Sequence, residues 1–382
     1  MPADLRKLSA RAGATRKHKA EPKKEKRNMK KVLVRILLAI NLVMVAGLLF
    51  CTYSTYLNPV KHDVLSLAGL AFPLFLFANW AFILLWLFIS TRHALVSLVG
   101  CLLCIMSIRT YIPWNPNRMG APGKSIKLLS YNVRGFSGGH WTDDNPNPIL
   151  EYLRDSKADV ICLQECGPIS DKDRRKFLSM YPYYKVHHVG PFDALACYSK
   201  YKIVDAEKVD NQTETNGSVA YHLKIGNDTI LLINNHLQSN GLTAEDKKAY
   251  KEMLKEPKGR TFREGFRLLM KKLPQANARR GPQADSVAKL IRKRRYHGVW
   301  VCGDFNDSPV SYVHRVISDD LVDAFVESGQ GIGVSYNQKG FPFRIDNIMV
   351  TKEWRTYKCT VDNSIKASDH YPIWCYLKRI AP

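Results

Sequence analysis

Apolar positions give the chain two textures. Over residues 32–112 they form three long runs, 32–51, 64–89 and 94–112, in which Arg35 and Arg109 are the only charges. Each run approaches the roughly 20 residues that cross a bilayer core of about 30 Å as a helix. Beyond residue 124 the apolar residues come in short bursts divided by turn formers. The bursts at 126–132, 159–164, 194–199, 219–225, 229–235, 298–302, 346–350 and 372–377 predict strands. Patches at 148–156, 171–180, 243–254 and 281–295 predict helices. Between the textures, residues 113–123 carry three prolines and two glycines, which continue neither kind of element.

This divides the chain into a basic tail (1–31), three transmembrane helices (32–112), a linker (113–123) and a catalytic-size domain (124–382). The mixture of strands and helices in the last part suits two sheets packed face to face with helices outside. The expected fold is therefore α+β, a four-layer αββα sandwich preceded by three membrane spans. A cleaved signal peptide fits poorly, because two further apolar runs follow the first at once and no small-x-small cleavage pattern intervenes. Arg35 and Arg109 lie near run ends, where long side chains snorkel to the headgroups.

Charge sets the expected orientation. The chain has 57 Lys/Arg against 34 Asp/Glu, and the tail alone holds twelve against three. Lys61 is the only Lys/Arg in the first loop. The tail should stay cytoplasmic, and three spans then place the C-terminal domain on the non-cytoplasmic side, periplasmic or extracellular. The domain's own basic excess does not veto export, since long domains cross largely regardless of charge. The nine cysteines show no CxxC or Cys/His zinc spacing in the C-terminal domain and read as buried thiols.

Candidate chemistry lies at the ends of the short bursts: Tyr131-Asn132, Gln164-Glu165, Asn235-His236, Gly303-Asp304-Phe305-Asn306, Ile345-Asp346-Asn347 and Ser368-Asp369-His370. Each alone is an ordinary turn former or helix cap. Six together would bring acids, amides and imidazoles to one rim.

The motifs LLSYNVRGF, DVICLQE, NNHLQS, GDFND, RIDNI and ASDHYPI, in this order from Leu128 to Ile373, resemble the endonuclease/exonuclease/phosphatase superfamily. GDFN together with SDH is the specific part of the resemblance, which covers almost all of the C-terminal domain and none of the membrane region. It implies a metal-dependent phosphoric ester hydrolase. Glu165 would anchor Mg²⁺, with Asn132 and Asp369 at the remaining metal positions and Mn²⁺ able to replace Mg²⁺. His370 matches the base that takes a proton from water, and Asp346 the carboxylate that orients it. Asp304 and Asn306 match the pair that positions the nucleophile and the phosphate oxygens. His236 matches the histidine of the deoxyribonuclease and sphingomyelinase branches, where apurinic endonucleases carry tyrosine. His140, His187, His188 and His222 receive no role, and Asp193 is only a suggestive partner for His236.

The resemblance leaves the substrate open: a lipid headgroup or other small phosphate ester at a membrane, or nucleic acid outside the cytoplasm. A catalytically silent membrane scaffold is the third reading. The Lys/Arg-rich stretch 241–295 would make a positive shoulder, and Phe136, Trp141, Phe192 and Tyr336 are the aromatics near the rim. Membrane lipid is the expected partner, and no protein partner is evident.

Overall fold

The computed structural model describes residues 21–116, 120–138, 142, 145–167, 171–190, 193–211, 213–293, 296–338 and 343–380. The chain forms two compact units. One comprises the N-terminal part to Leu49 with Pro73–Cys104, and the other Phe50–Phe72 with Ile105–Pro382. The tail expected at 1–31 falls largely outside the described residues.

Helices α1 (Glu21–Tyr53), α2 (Phe72–Ile89) and α3 (Thr91–Leu103) build the first unit. Two stretches, Lys26–Tyr56 and Leu65–Ile89, are long and apolar enough to cross a membrane. The third apolar run is divided between α3 and α4 (Ile105–Tyr111), and makes a third span only if this bent pair counts as one. Large apolar side chains such as Leu74 and Phe88 face outward, as lipid contact requires. The inward faces carry a closed polar network. Asn41 Nδ2 donates to Ser97 Oγ at 2.6 Å, Ser97 Oγ to Asn79 Oδ1 at 2.9 Å, and Trp86 Nε1 to Asn41 Oδ1 at 2.8 Å. Such bonds hold helices together where lipid offers no hydrophobic drive.

Two six-stranded sheets form the second unit. Strands β1 (Ile126–Asn132), β2 (Val160–Gln164), β3 (Tyr183–His188) and β4 (Ala194–Ser199) belong to the first sheet. In the second lie β5 (Lys202–Lys208), β6 (Gly217–Ile225), β7 (Asp228–His236), β8 (Val299–Asp304), β9 (Val322–Asp323) and β10 (Asp346–Val350). β11 (Trp354–Val361) and β12 (Ile373–Arg379) return to the first. The strand orders are β11-β12-β1-β2-β4-β3 and β5-β6-β7-β8-β10-β9.

Leu128, Cys162, Cys197, Tyr221, Leu232, Trp300, Cys302 and Ile348 fill the space between the sheets. On the outer face of the first sheet, α5 (Pro148–Asp155) and α6 (Asp171–Leu178) lie over Leu129, Ile161 and Ala196. The second sheet is covered by α8 (Gly259–Arg292) and α9 (Tyr312–Ser318), with α7 (Ala244–Lys255) and α10 (Ala324–Ser328) beside it. The expected αββα sandwich is therefore present. All nine cysteines are free and buried, so the thiols serve as small core side chains.

Four strands escaped the apolar pattern, β3, β5, the two-residue β9 and β11, all at sheet edges. β3 is a largely exposed edge strand without alternation, and β11 carries a register shift between Tyr357 and Thr360 that interrupts the period of two. The helix expected at 281–295 begins at Gly259 and runs through Pro274 and Pro282, which a sequence reading takes as breaks.

The segment Phe50–Phe72 is part of the second unit and packs on α8 and α9. Asn277 Nδ2 donates to Ser66 Oγ at 2.8 Å, and Arg315 Nε to the Thr55 carbonyl at 2.9 Å. A Cβ on Gly69 would lie 1.8 Å from the Val310 carbonyl oxygen, so only glycine lets the 3-10 turn Leu65–Ala71 approach this closely.

Candidate active site

Sheet polarity explains why the motif residues meet. β1 and β2 are parallel, as are β7 and β8, so Asn132, Glu165, His236 and Asp304 all sit at or just beyond carboxyl ends. β10 and β12 run antiparallel to β8 and β1, so their first residues return to the same rim. Asp346 faces Asp304 in register, and His370 precedes β12. A Cβ on Gly303 would lie 2.0 Å from the Asn235 carbonyl, and the residue has φ 122°, so GDFN needs its glycine for β8 to lie against β7.

Two aspartate–histidine pairs stand on either side of Asp304. His370 Nδ1 lies 2.9 Å from Asp346 Oδ2, and its Nε2 is 3.6 Å from Asp304 Oδ2. His236 Nδ1 lies 2.6 Å from Asp193 Oδ2, and its Nε2 is 3.8 Å from the same Asp304 oxygen. Asp193 thus orients His236, and its second oxygen accepts from the Glu165 backbone N–H at 3.1 Å. The sequence signal for Asp193 was its place just before a strand, too common a position to single it out.

Asn132 lies beneath the cleft, and its Nδ2 donates to Glu165 Oε1 at 2.9 Å and to Asp304 Oδ2 at 3.2 Å. Asn306, at φ 52°, donates its backbone N–H to Asp304 Oδ1 at 2.8 Å. Asp369 lines the cleft between Arg134 Nε at 4.0 Å and Lys247 Nζ at 3.9 Å. All eight residues singled out in the sequence therefore converge. Asp304, Asp346 and His370 also place ligand atoms within 4.8 Å of one another, a grouping that could itself hold a metal ion.

The concentration of acids shapes the titration of the imidazoles. Burial opposes the charge on His236, but Asp193, Asp304 and Glu165 outweigh it and raise its pKa to about 9. For His370, burial is likewise outweighed, by Asp346, Asp304 and Asp369, and the pKa rises to about 10. Burial pushes Asp304 up to about 6, with His370 opposing the rise and Asp346 adding to it.

The cleft has a volume of about 440 Å³, and Tyr336 closes one side with its ring 5.1 Å from that of His370. Phe136 does not reach the cleft and is core, while Trp141 and Phe192 lie outside the described residues, as does His140. In the expected basic shoulder, Lys271 and Arg279 are exposed, but Arg280 is buried, with its Nε 3.6 Å from Asp307. Arg280 supports the GDFND turn rather than an outer surface. Arg294 and Arg295 lie outside the described residues.

A two-sheet sandwich with such a rim defines a hydrolase of phosphate esters. Residues 129–370 match the model of the Endonuclease/Exonuclease/phosphatase family, to which the chain belongs. Residues 34–111 match a separate model, described as a domain of unknown function, DUF8431. No curated protein matches in sequence. Among solved structures, the human nocturnin catalytic domain with bound sulfate aligns at 14% identity and TM-score 0.50, covering 68% of this chain and 97% of that one. An endonuclease/exonuclease/phosphatase from Bacteroides vulgatus aligns at 17% and 0.44, covering 67% and 100%. The Bacteroides thetaiotaomicron mannosyl-6-phosphatase aligns at 16% and 0.42, covering 66% and 100%.

Proposed function

We infer that the second unit hydrolyses phosphate esters at a membrane by attack of water on phosphorus, with Mg²⁺, or Mn²⁺ in its place, held by Glu165, Asn132 and Asp369. The donor set supports a hard cation. Carboxylate and amide oxygens dominate the site, no cysteine lines the cleft, and the buried Asp346 Oδ1 has no hydrogen-bond partner. Such an ion supplies positive charge that offsets the charge of the phosphate oxygens.

The chain's own groups account for the rest. His370 takes the proton of the attacking water at Nε2, while Asp346 holds its Nδ1 and favours the tautomer that leaves Nε2 free. Asp304 and Asn306 position the nucleophile and the phosphate oxygens. His236, kept protonated by Asp193, gives a proton to the leaving oxygen. Phosphoryl transfer rests mainly on positioning and electrostatics, which a rigid rim of strand ends provides.

The observation that carries this reading is that two imidazoles, each held at Nδ1 by its own aspartate, present Nε2 to one oxygen of Asp304. Glu165→Ala and His370→Ala are expected to lower hydrolysis of bis(p-nitrophenyl) phosphate about 10²–10⁴-fold in saturating Mg²⁺. Turnover at the parental rate in both variants would refute the mechanism. A second reading, an extracytoplasmic nuclease, is favoured by the basic groove of Arg134, Lys247, Lys248 and Lys251 beside Asp369.

A further inference from the structure

One wall of the cleft comes from outside the family domain. Leu70 lines the cavity together with Glu165, His236, Asp304 and His370. It belongs to the turn Leu65–Ala71, which opens the apolar stretch Leu65–Ile89, one of the two long enough to cross a membrane. The turn is fixed to the catalytic domain by the Asn277–Ser66 hydrogen bond and by the close approach of Gly69 to Val310.

Leu70 is not the only apolar residue in this cavity. Leu242, Leu269, Leu273 and Phe343 line the same cavity as the acids and imidazoles of the rim. A cavity lined by both kinds of residue suits a substrate that carries a charged phosphate and a hydrocarbon chain. A free sugar phosphate or a nucleotide would leave the apolar wall facing water.

The helices beside the mouth carry a matching outer surface. Phe262 and Phe266 on α8 stack at 6.2 Å and are exposed, as is Leu254 on α7. Arg260, Arg263 and Arg267 lie among them on α8 and are also exposed. Exposed aromatics set among arginines are the composition of a helix lying in the headgroup layer of a bilayer.

We propose that the substrate is a membrane lipid bearing a phosphate ester, whose hydrocarbon chain enters the cleft from the bilayer along Leu70, Leu269 and Leu273 while its phosphate reaches Asp304 and the two histidines. The proposal rests on the phosphoesterase reading and adds to it the substrate class and the residues that select it. Leu70 is the selecting contact supplied by a membrane-spanning segment.

The test uses the full chain in phosphatidylcholine vesicles with Mg²⁺ and two chromogenic probes, methyl p-nitrophenyl phosphate and its hexadecyl homologue. The hexadecyl ester is expected to turn over at least tenfold faster, in kcat/KM, than the methyl ester. Leu70→Asp and, separately, Leu273→Ser are expected to lower the hexadecyl-to-methyl ratio at least fivefold, with thermal melting showing that each variant is folded. Equal turnover of the two esters, a ratio unmoved by both substitutions, or faster cleavage of single-stranded DNA than of the hexadecyl ester would overturn the lipid assignment alone. No turnover of any probe would overturn it together with the phosphoesterase reading.

Discussion

Gln164 Nε2 donates to Asn234 Oδ1 at 2.7 Å across the two sheets, immediately behind the active site. Gln164 precedes Glu165, and Asn234 lies two residues before His236. The Asn234 amide donates in turn to the carbonyls of Leu163 and Ala196 at 3.0 and 3.2 Å. This fully buried bridge fixes the first sheet against the second, and so sets the separation of Glu165 from His236. Asn234→Ala would leave several buried groups unpaired, at about 1–3 kcal/mol each. A fall in melting temperature is expected, with kcat reduced more than KM is raised. Wild-type melting and kinetics would show that the bridge does not position the site.

Removing the divalent ion is expected to expose the charge imbalance of the rim. In the metal-free protein His236 and His370 have pKa values of about 9 and 10, above the unfolded value near 6.5. Both stay protonated at neutral pH. Because these values are raised, the stability they contribute is fully present below pH of about 6.5 and fades as pH rises through about 9 and 10. A protonated His370 cannot act as base, and a cation held by Glu165 and Asp369 is expected to lower its pKa by offsetting the nearby carboxylates. Titration of the imidazole resonances with and without Mg²⁺ measures this, and a His370 midpoint unmoved by saturating Mg²⁺ would place the ion elsewhere.

Asp193 is expected to matter for catalysis as much as the residues the motifs name. Asp193→Asn keeps the shape but offers a neutral partner to His236, favouring the wrong tautomer and weakening the imidazolium. A loss of about 10²-fold or more in kcat is expected, with the alkaline limb of the pH profile shifted downward. If the profile kept its shape and kcat its size, His236 would not be the proton donor.

The site was largely legible in the sequence because strand ends carry it. A short apolar burst followed by Asn, Glu, His or Asp shows where a strand stops, and parallel pairing of β1 with β2 and of β7 with β8 brings those stops to one edge. The sheet positions of edge strands were not legible. β3 buries too little to alternate, and β11 is interrupted by the shift near Lys358, which has φ 50°. Nor could the sequence show that Leu70, 95 positions before Glu165, lines the same cleft, since nothing local in a membrane-like run encodes docking on a distant helix. Arg280 looked like surface charge, and only the fold shows it buried against Asp307.

Asp323 should govern acid stability. It is buried with Arg344 NH2 at 3.0 Å and His314 Nε2 at 2.8 Å. Burial alone would raise its pKa, yet Arg344 and His314 hold the carboxyl well below the usual range. The stability gained from this depressed pKa is therefore present above about pH 4 and is lost as pH falls toward the folded value. Asp323→Asn leaves the Arg344 guanidinium buried without its counter-charge, at an expected cost of about 3–5 kcal/mol. Melting as a function of pH would show a lower plateau at neutral pH and a smaller acid drop than in the parent. Equal plateaus would mean that the cluster does not stabilise the fold.

Topology turns on the third apolar run. The basic tail should hold the N-terminus in the cytoplasm, because residues 1–31, ahead of the apolar run 32–51, hold twelve Lys/Arg and Lys61 is the only Lys/Arg in the loop that follows that run. Lys26–Tyr56 and Leu65–Ile89 are long and apolar enough to cross, and Thr91–Leu103 with Ile105–Tyr111 adds a third candidate only if the bent pair acts as one span. With three crossings the catalytic domain lies outside the cytoplasm, and with two it returns to it. Alkaline phosphatase fused after Pro382 is active only outside the cytoplasm, and green fluorescent protein exported unfolded does not fluoresce there. An active phosphatase fusion with a dark fluorescent one is the expected pair. The reverse pair would mean that the bent helices fail to cross, and that the domain meets its substrate from the cytoplasmic leaflet.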